Sequence, residues 1–162
     1  MQLLHFKILS LKRRQVINPS PHLSWAELAC SDGTPYPSKW HKTRLIQLVN
    51  VFEDFRKTLG EQPLRIASAY RTPSWNRKCG GVQQSQHIQG RAIDILRPKH
   101  INNKSFREKA KVFAKNNPRV GGLGWYRWGV HIDVRPRRKN RLAFWNFVKP
   151  GTKLHDNMTF HA

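Results

Sequence analysis

Residues 85–94 read SQHIQGRAID and place a histidine, a glycine and an aspartate at fixed spacing. Asp94 lies inside an apolar run, AIDIL, in a chain that has only 9 acidic residues. Burying a carboxylate among apolar side chains is costly unless a positive group pairs with it. The partner of Asp94 is therefore expected to be an arginine or a metal ion, and the fold around this stretch has to supply it.

The apolar pattern on either side of this stretch predicts a mixture of helices and strands. Apolar residues at three- and four-residue steps, with Gly60 as a stop signal, indicate an amphipathic helix over 39–59. A second helix is expected over 103–116. Strands are expected at 64–70, at 92–96, and in the segments GLGWY and GVHIDVR, and the run at 92–96 is apolar on both sides, which is typical of a central strand.

Two polar segments separate these elements. Residues 15–38 are rich in proline, serine and polar groups, with a short helical turn expected at 24–28. Residues 71–91 read as a long polar loop that contains two adjacent glycines. A chain of 162 residues is expected to form one compact domain. A loop of this length in such a domain usually has a function.

The charge balance is extreme, with 30 Lys and Arg against 9 Asp and Glu and a formal net charge of +21. Self-repulsion of this size opposes compaction, so a polyanionic partner is expected: nucleic acid, an anionic cell envelope or acidic lipid. The densest basic runs are 12–14 and 135–141, and Trp125, Trp128 and Trp145 are available for base stacking. No recognised DNA- or RNA-reading motif is present, which ranks the envelope above nucleic acid.

The first residues, MQLLHFKILSLKRRQ, do not follow the pattern of an export signal. Lys7 interrupts the apolar run, and basic residues follow it where small residues would be needed for cleavage. We interpret this segment as a strand or arm with a basic end. No apolar run in the sequence is long enough to span a bilayer. The chain is expected to be a monomer.

Cys30 and Cys79 are the two cysteines of the chain. They are expected to form one disulfide or to be two small side chains that pack without bonding. Neither stands in a CxxC pair, so metal binding by cysteine is not expected.

The residues around the opening stretch offer a metal site. A catalytic zinc ion takes about three protein ligands and keeps one position open. His87 and Asp94 bracket a turn in which Gly90 permits a backbone conformation that other residues avoid, and His131 in GVHIDVR supplies a third ligand. Two histidines and a carboxylate are chemically suited to zinc.

Each of these residues also has a structural explanation. A histidine in a strand is commonly a hydrogen-bonded core residue, Gly90 is then an ordinary turn glycine, and Asp94 pairs with Arg71 or Arg91. The residues alone leave the two explanations open.

A resemblance to a known family favours the metal. SQHIQGRAID followed by VHID resembles the S-x-H-x-x-G-x-A-x-D … H-x-D signature of the D-Ala-D-Ala carboxypeptidase family of zinc peptidases, peptidase family M15. Three further segments come in the family's order: ASAYRTPSWN is similar to its S-x-Y-R-T…N segment, CGGVQQSQH to its glycine-rich lead-in, and GGLGWY to its penultimate strand. The resemblance covers residues 20–135, and the nearest subgroup includes bacteriophage-encoded murein peptidases.

The resemblance implies a fold and a division of the chain. The fold is the α+β, hedgehog-like one, with a small, mainly antiparallel sheet flanked by helices and the zinc in a cleft on one face. Residues 20–135 form the peptidase domain, residues 1–19 a basic N-terminal arm, and residues 136–162 a basic C-terminal extension that packs on the same domain.

Carried over by position, the resemblance assigns roles to several residues. His87, Asp94 and His131 are the zinc ligands, and Arg71 is the cation that faces a substrate carboxylate or the developing oxyanion. Ser85 orients the first ligand or binds substrate, with a loop-capping hydroxyl as the alternative. For Arg71 the alternative is a structural salt bridge. Trp128, next to the proposed site, is expected to form a wall that touches substrate.

The general base is the position where this sequence departs from the family. Many relatives carry an acidic residue three positions before the last ligand or a histidine two before it, where this chain has Trp128 and Gly129. Asp133 lies on the same strand face as His131 and is the substitute, as a base or as the partner that holds the ligand histidine. Loss of a base costs roughly 10²–10⁴ in rate, so activity is less secure than zinc binding.

The function that the resemblance implies is zinc-dependent hydrolysis of an amide bond in peptidoglycan stem peptides by a phage-type lysin. Such an endolysin would stay in the host cytoplasm until lysis gives it access to the wall, or would be part of the virion. The alternatives are a non-enzymatic virion or envelope-binding protein that retains the peptidase fold, and a nucleic-acid-binding protein.

Overall fold

A five-stranded sheet lies at the centre of the part of the chain that the computed structural model describes, residues 18–147. The strands are Ile66–Ser68 (β1), Ala92–Leu96 (β2), Gly122–Trp125 (β3), Gly129–Asp133 (β4) and Ala143–Asn146 (β5). Their order is β1-β2-β4-β3-β5, and every neighbouring pair is antiparallel except β3 and β5, which are parallel. The predicted α+β fold with a mainly antiparallel sheet is confirmed.

Four α-helices accompany the sheet in the described residues: Trp25–Leu28 (α1), Ile46–Thr58 (α2), Pro73–Lys78 (α3) and Asn103–Asn116 (α4). The helix predicted over 103–116 has these bounds. The helix predicted over 39–59 is present as a continuous helical path that begins with a 3₁₀ turn, Ser38–Trp40, and a π turn, His41–Leu45. The turn predicted at 24–28 is α1, whose N-cap Ser24 forms a capping box with Glu27.

The polar segment 71–91 is not a loop throughout, as the sequence had suggested, because it contains α3. Thr72 caps this helix by accepting a hydrogen bond from the Trp75 backbone N–H at 3.2 Å. Pro73 occupies the first helical position, where its missing N–H costs nothing. The predicted strand 64–70 is also shorter, since only β1 pairs with the sheet.

The hydrophobic core lies between one face of the sheet and the two long helices. Ile93, Ile132 and Leu123 are register partners on β2, β4 and β3, and all three are fully buried. Helices α2 and α4 meet through Phe55, whose ring centroid lies 5.1 Å from that of Phe113. Because side chains alternate between the faces of a strand, the residues next to these three point to the opposite face.

That opposite face carries a row of register partners across all five strands. The row runs from Ser68 on β1 through Asp94, His131 and Gly124 to Trp145 on β5. It contains two of the three predicted zinc ligands, so the sheet itself brings them together.

Both ends of the chain were predicted to be basic. Residues 1–17 of the predicted arm and residues 148–162 of the predicted extension lie outside the described residues. Within the described part of the extension, β5 joins the sheet beside β3. No helix in residues 18–147 has the length and apolar character needed to cross a membrane.

The two cysteines are both free thiols. Cys30 is buried, and Cys79 is half-buried. The structure therefore matches two small unbonded side chains rather than a disulfide.

Candidate metal centre

Three side chains point their ligand atoms at one another on the face of the sheet away from the core. His87 Nε2 lies 3.1 Å from His131 Nδ1 and 3.1 Å from Asp94 Oδ1, and His131 Nδ1 lies 2.8 Å from Asp94 Oδ1. All three are buried, at 3 to 5% exposure. In residues 18–147 this is the group of His, Cys, Asp and Glu side chains that could hold a metal ion.

Strand pairing and one glycine set the positions of these ligands. Asp94 and His131 are direct register partners on β2 and β4. His87 enters from the preceding loop, which turns back to β2 at Gly90 with a φ of +60°. A Cβ at Gly90 would lie 2.5 Å from the ring of Trp40, so both the backbone conformation and the close approach require glycine.

The tautomer of His87 is fixed by the backbone. Its Nδ1 lies 2.6 Å from the carbonyl oxygen of Ala69. A carbonyl can only accept, so Nδ1 carries the proton and donates it. The lone pair of Nε2 is thereby directed at the other two ligand atoms, an arrangement typical of metal-binding histidines.

Asp133 holds His131 through Nε2, whereas His87 is held through Nδ1. His131 Nε2 lies 3.1 Å from Asp133 Oδ2, which leaves Nδ1 to face the centre. Asp133 is fully buried and is itself held by Arg135, with Nε–Oδ1 at 2.8 Å and Nη2–Oδ2 at 2.5 Å. It does not line the cavity described below. This geometry matches the second role that the sequence left open for Asp133, the orientation of a ligand histidine, whereas the role of base stays a prediction.

The two carboxylate oxygens of Asp94 have different partners, because Arg71 binds one of them. Its Nη2 donates to Asp94 Oδ2 at 2.6 Å, and its Nε donates to Ser68 Oγ at 2.7 Å. Oδ1 of Asp94 is left for the two histidines. The salt bridge that was the alternative explanation of Arg71 is thus present, and Arg71 also lines the cavity. Its contact with substrate stays a prediction.

The electrostatics keep the carboxylates ionised. Burial by itself raises the pKa of Asp94, but its contacts with the two histidines and the Arg71 guanidinium hold that pKa well below its usual range. Burial opposes charge on His131 as well, yet Asp133 and Asp94 raise its pKa to about 9. The position of His131 Nδ1 thus favours a positive charge, which a proton or a metal cation can supply.

The three ligand side chains lie in a cavity of about 410 Å³. Trp128 lines this cavity, and its ring stacks on that of Tyr126 with the centroids 4.8 Å apart, whereas its contact with substrate stays a prediction. Ser85 also lines it, and its Oγ accepts a hydrogen bond from the His87 backbone N–H at 3.3 Å. This contact is the loop-capping one, and a contact of Ser85 with substrate stays a prediction.

Several residues of the site were not found by sequence reasoning. They are the wall residues Tyr126 and Phe147, together with Arg135 and the acceptors Ser68 and Ala69. One signal was available in GGLGW, where glycines stand at every second position of a strand. A Cβ at Gly124 would collide with the indole of Trp145, and one at Gly122 would collide with the Asp133 carboxylate. Alternating glycines thus mark a strand face that must accept large side chains from its neighbours.

The donor set fits zinc. Two imidazole nitrogens and one carboxylate oxygen are ligand types that zinc takes, and three protein ligands leave one position open. Ligand atoms on a tetrahedral ion with bonds near ~2.1 Å lie roughly 3.4 Å apart, only slightly more than the 2.8 to 3.1 Å observed here. The oriented tautomers of His87 and His131 add the supporting hydrogen bonds that such sites need.

Comparison with protein families agrees with this geometry. The family model described as Peptidase M15 matches residues 21–133, which is well over half of the chain and includes all three ligand residues. The resemblance drawn from the motifs is therefore confirmed. A search of the curated proteins found no match.

Proposed function

The chain belongs to peptidase family M15, and we propose that it hydrolyses an amide bond in peptidoglycan stem peptides with a zinc ion held by His87, Asp94 and His131. The observation that carries this proposal is the triangle of ligand atoms, 2.8 to 3.1 Å on each side, in a cavity of about 410 Å³. Membership of a family of zinc metallopeptidases supports the reaction type, and the cavity is large enough for part of a peptide.

Zinc supplies a Lewis acid that polarises a carbonyl oxygen and lowers the pKa of water. The residues of the chain then have to hold the ligands and bind the peptide. Ala69 and Asp133 fix the two histidine rings through their outer nitrogens. Arg71 holds Asp94 Oδ2 and, together with the two histidines, keeps that carboxylate ionised.

In the hydrolysis the oxygen of water bonds to the carbonyl carbon, and the bond from that carbon to nitrogen breaks. The nitrogen takes up a proton that the water gives up. Arg71 lines the cavity, and its cationic charge is the proposed contact for the peptide carbonyl or carboxylate. Trp128 and Ser85 are the proposed contacts for the rest of the peptide.

One observation favours a second candidate, a wall-binding protein that keeps the fold and the metal but does not cleave. The family's base positions carry Trp128 and Gly129, neither of which can take up a proton. Asp133 is fully buried and engaged by His131 and Arg135. A chain without a proton acceptor in the cavity would bind peptide and hydrolyse it slowly.

The net charge supports an anionic partner. With a charge of +21, the chain is attracted to an anionic envelope polymer, which raises the rate of encounter with the wall. A phage-type lysin, released to the wall on lysis or carried by the virion, is the proposed setting. Nucleic acid is the competing partner, and a gel shift across a salt series tests it. Retention of DNA or RNA at moderate salt would contradict the preference for the envelope.

A zymogram on purified murein separates the two main candidates. We expect clearing by the full chain that disappears with a chelator and returns with zinc, and mass spectrometry of the digest identifies the bond that is cut. The matched inactive control is His87→Ala. Tight murein binding without clearing at any zinc concentration would reject the enzyme in favour of the wall-binding protein.

A further inference from the structure

Tyr126 places a phenol in the cavity of the metal centre. It lies in the turn between β3 and β4, where its backbone N–H donates to the Gly129 carbonyl at 3.0 Å. Its side chain lines the same cavity as His87, Asp94 and His131. None of the roles assigned above uses this hydroxyl.

The hydroxyl has an unused proton. Trp145 Nε1 donates to Tyr126 Oη at 3.1 Å, and an indole N–H can only donate. Tyr126 is therefore the acceptor in this bond, and its own O–H remains to be given to another group. Among residues 18–147, the bond from Trp145 is the side-chain hydrogen bond that the structure gives this hydroxyl. The ring centroid of Trp145 in turn lies 5.0 Å from that of His131. Trp145 therefore contacts both the phenol and a proposed zinc ligand.

Aromatic contacts hold the phenol ring in place. It stacks on Trp128 with centroids 4.8 Å apart and planes at 13°, and on Phe147 at 5.6 Å and 30°. A hydroxyl fixed by ring packing and by an indole N–H needs no reorganisation when charge develops near it. Such preorganised donors are the most effective ones in active sites.

The phenol keeps its proton at neutral pH. Burial, together with the nearby Asp94 carboxylate, raises the pKa of Tyr126 to about 12. A neutral phenol cannot act as the missing base, but it can donate a hydrogen bond. The Nε and Nη2 donors of Arg71, the other candidate, are already engaged with Ser68 and Asp94.

We infer that Tyr126 is a catalytic residue that donates a hydrogen bond to the carbonyl oxygen of the scissile amide as that oxygen gains negative charge. The proton stays on Tyr126 throughout. The inference rests on the proposed function, because it needs an amide that is hydrolysed in this cavity. It assigns the stabilisation of the oxyanion to a side chain to which the resemblance gave no role.

The test compares Tyr126→Phe with the full wild-type chain, both loaded with zinc, on a soluble stem peptide. Removing one such donor lowers kcat by about 10²-fold. The KM is expected to stay unchanged, because the bond forms only as charge develops. A second readout is binding of a phosphinate analogue of the stem peptide, whose oxygens imitate the oxyanion. The variant is expected to bind it about 10²-fold more weakly, with zinc content and product affinity unchanged.

The matched control is Tyr70→Phe, which removes a hydroxyl from a tyrosine that packs against Tyr36 and Trp40 rather than in the cavity. It should leave kcat and phosphinate affinity as in the wild type. A Tyr126→Phe variant with wild-type kcat and phosphinate affinity would overturn the inference alone. So would a loss explained by KM or by zinc content, since it would mean a structural role. A wild-type chain that binds zinc and releases no product would overturn the proposed function and the inference together.

Discussion

Asp94 and His131 face each other across β2 and β4, and Asp94 Oδ1 lies 2.8 Å from His131 Nδ1. The other oxygen of the same carboxylate accepts from Arg71 at 2.6 Å. Backbone pairing therefore sets the distance between two ligand atoms, and the loop that carries His87 adds the third. Because the sheet does not depend on the metal-facing atoms, ligand substitutions should change metal binding more than they change the fold.

Replacing His87 by alanine should abolish zinc binding and hydrolysis while the chain stays folded. The change removes the Nε2 ligand, and the two remaining ligands are fewer than the three that a catalytic zinc site takes from the protein. Elemental analysis of the purified chain measures the zinc, and circular dichroism checks the fold. His22→Ala is the matched control, because His22 is exposed and pairs with Glu53. Stoichiometric zinc in the His87 variant would show that the ligand set is wrong.

Replacing Asp133 by asparagine should weaken zinc binding rather than remove a base. Asp133 holds the outer nitrogen of His131 and has no access to the cavity. Loss of such a supporting partner lowers metal affinity by about 10- to 100-fold. Competition with a chelator of known affinity measures the change, and Asp54→Asn on α2 is the control. Unchanged zinc affinity together with lost turnover would instead assign Asp133 as the base.

Gly90 and Gly60 form a matched pair for a stability measurement. Both have a positive φ, +60° and +82°, so alanine at either position is strained by about 1–2 kcal/mol. A Cβ at Gly90 would also lie 2.5 Å from the Trp40 ring, whereas nothing lies within 4 Å at Gly60. Urea unfolding should therefore show a larger loss of the free energy of unfolding for Gly90→Ala than for Gly60→Ala. Equal losses would mean that the Trp40 contact costs nothing.

Tyrosine ionisation should be delayed in the folded chain and should destabilise it. Burial raises the pKa of all three tyrosines, that of Tyr126 to about 12. A group whose pKa is higher in the folded chain contributes stability that is complete below the unfolded value of roughly 10. That contribution is lost as the pH rises from about 10 towards 12. Tyrosinate absorbance at 295 nm, with and without urea, measures the shift.

The control for this titration is Tyr36→Phe, which removes the phenol that donates to the Gly90 carbonyl at 2.5 Å. The variant should lose less stability between pH 8 and 11 than the wild type does, because one fewer buried phenol has to ionise. Native and urea-unfolded chains that ionise at the same pH would contradict the prediction.

Helices and strands were predicted well where a periodic apolar pattern or a short motif marks them in the sequence. The helix over 103–116 has a continuous apolar stripe, and its bounds were predicted correctly. The missed helix α3 is six residues long and has no apolar stripe, and its signal was the cap and proline at Thr72 and Pro73. The three ligand positions came from a motif, because the spacing of His87 and Asp94 is local and His131 follows in a recognisable segment.

The sequence by itself determined the two long helices, most of the strands, the family and the candidates for the metal site, since these depend on spacing along the chain. Only the tertiary structure decided how each candidate is used. It placed Asp133 behind His131, set Arg71 on Asp94, and brought Trp145 from β5 to orient Tyr126. These contacts depend on strand register and on pairings between residues far apart in sequence, and neither is encoded in any short segment of the chain.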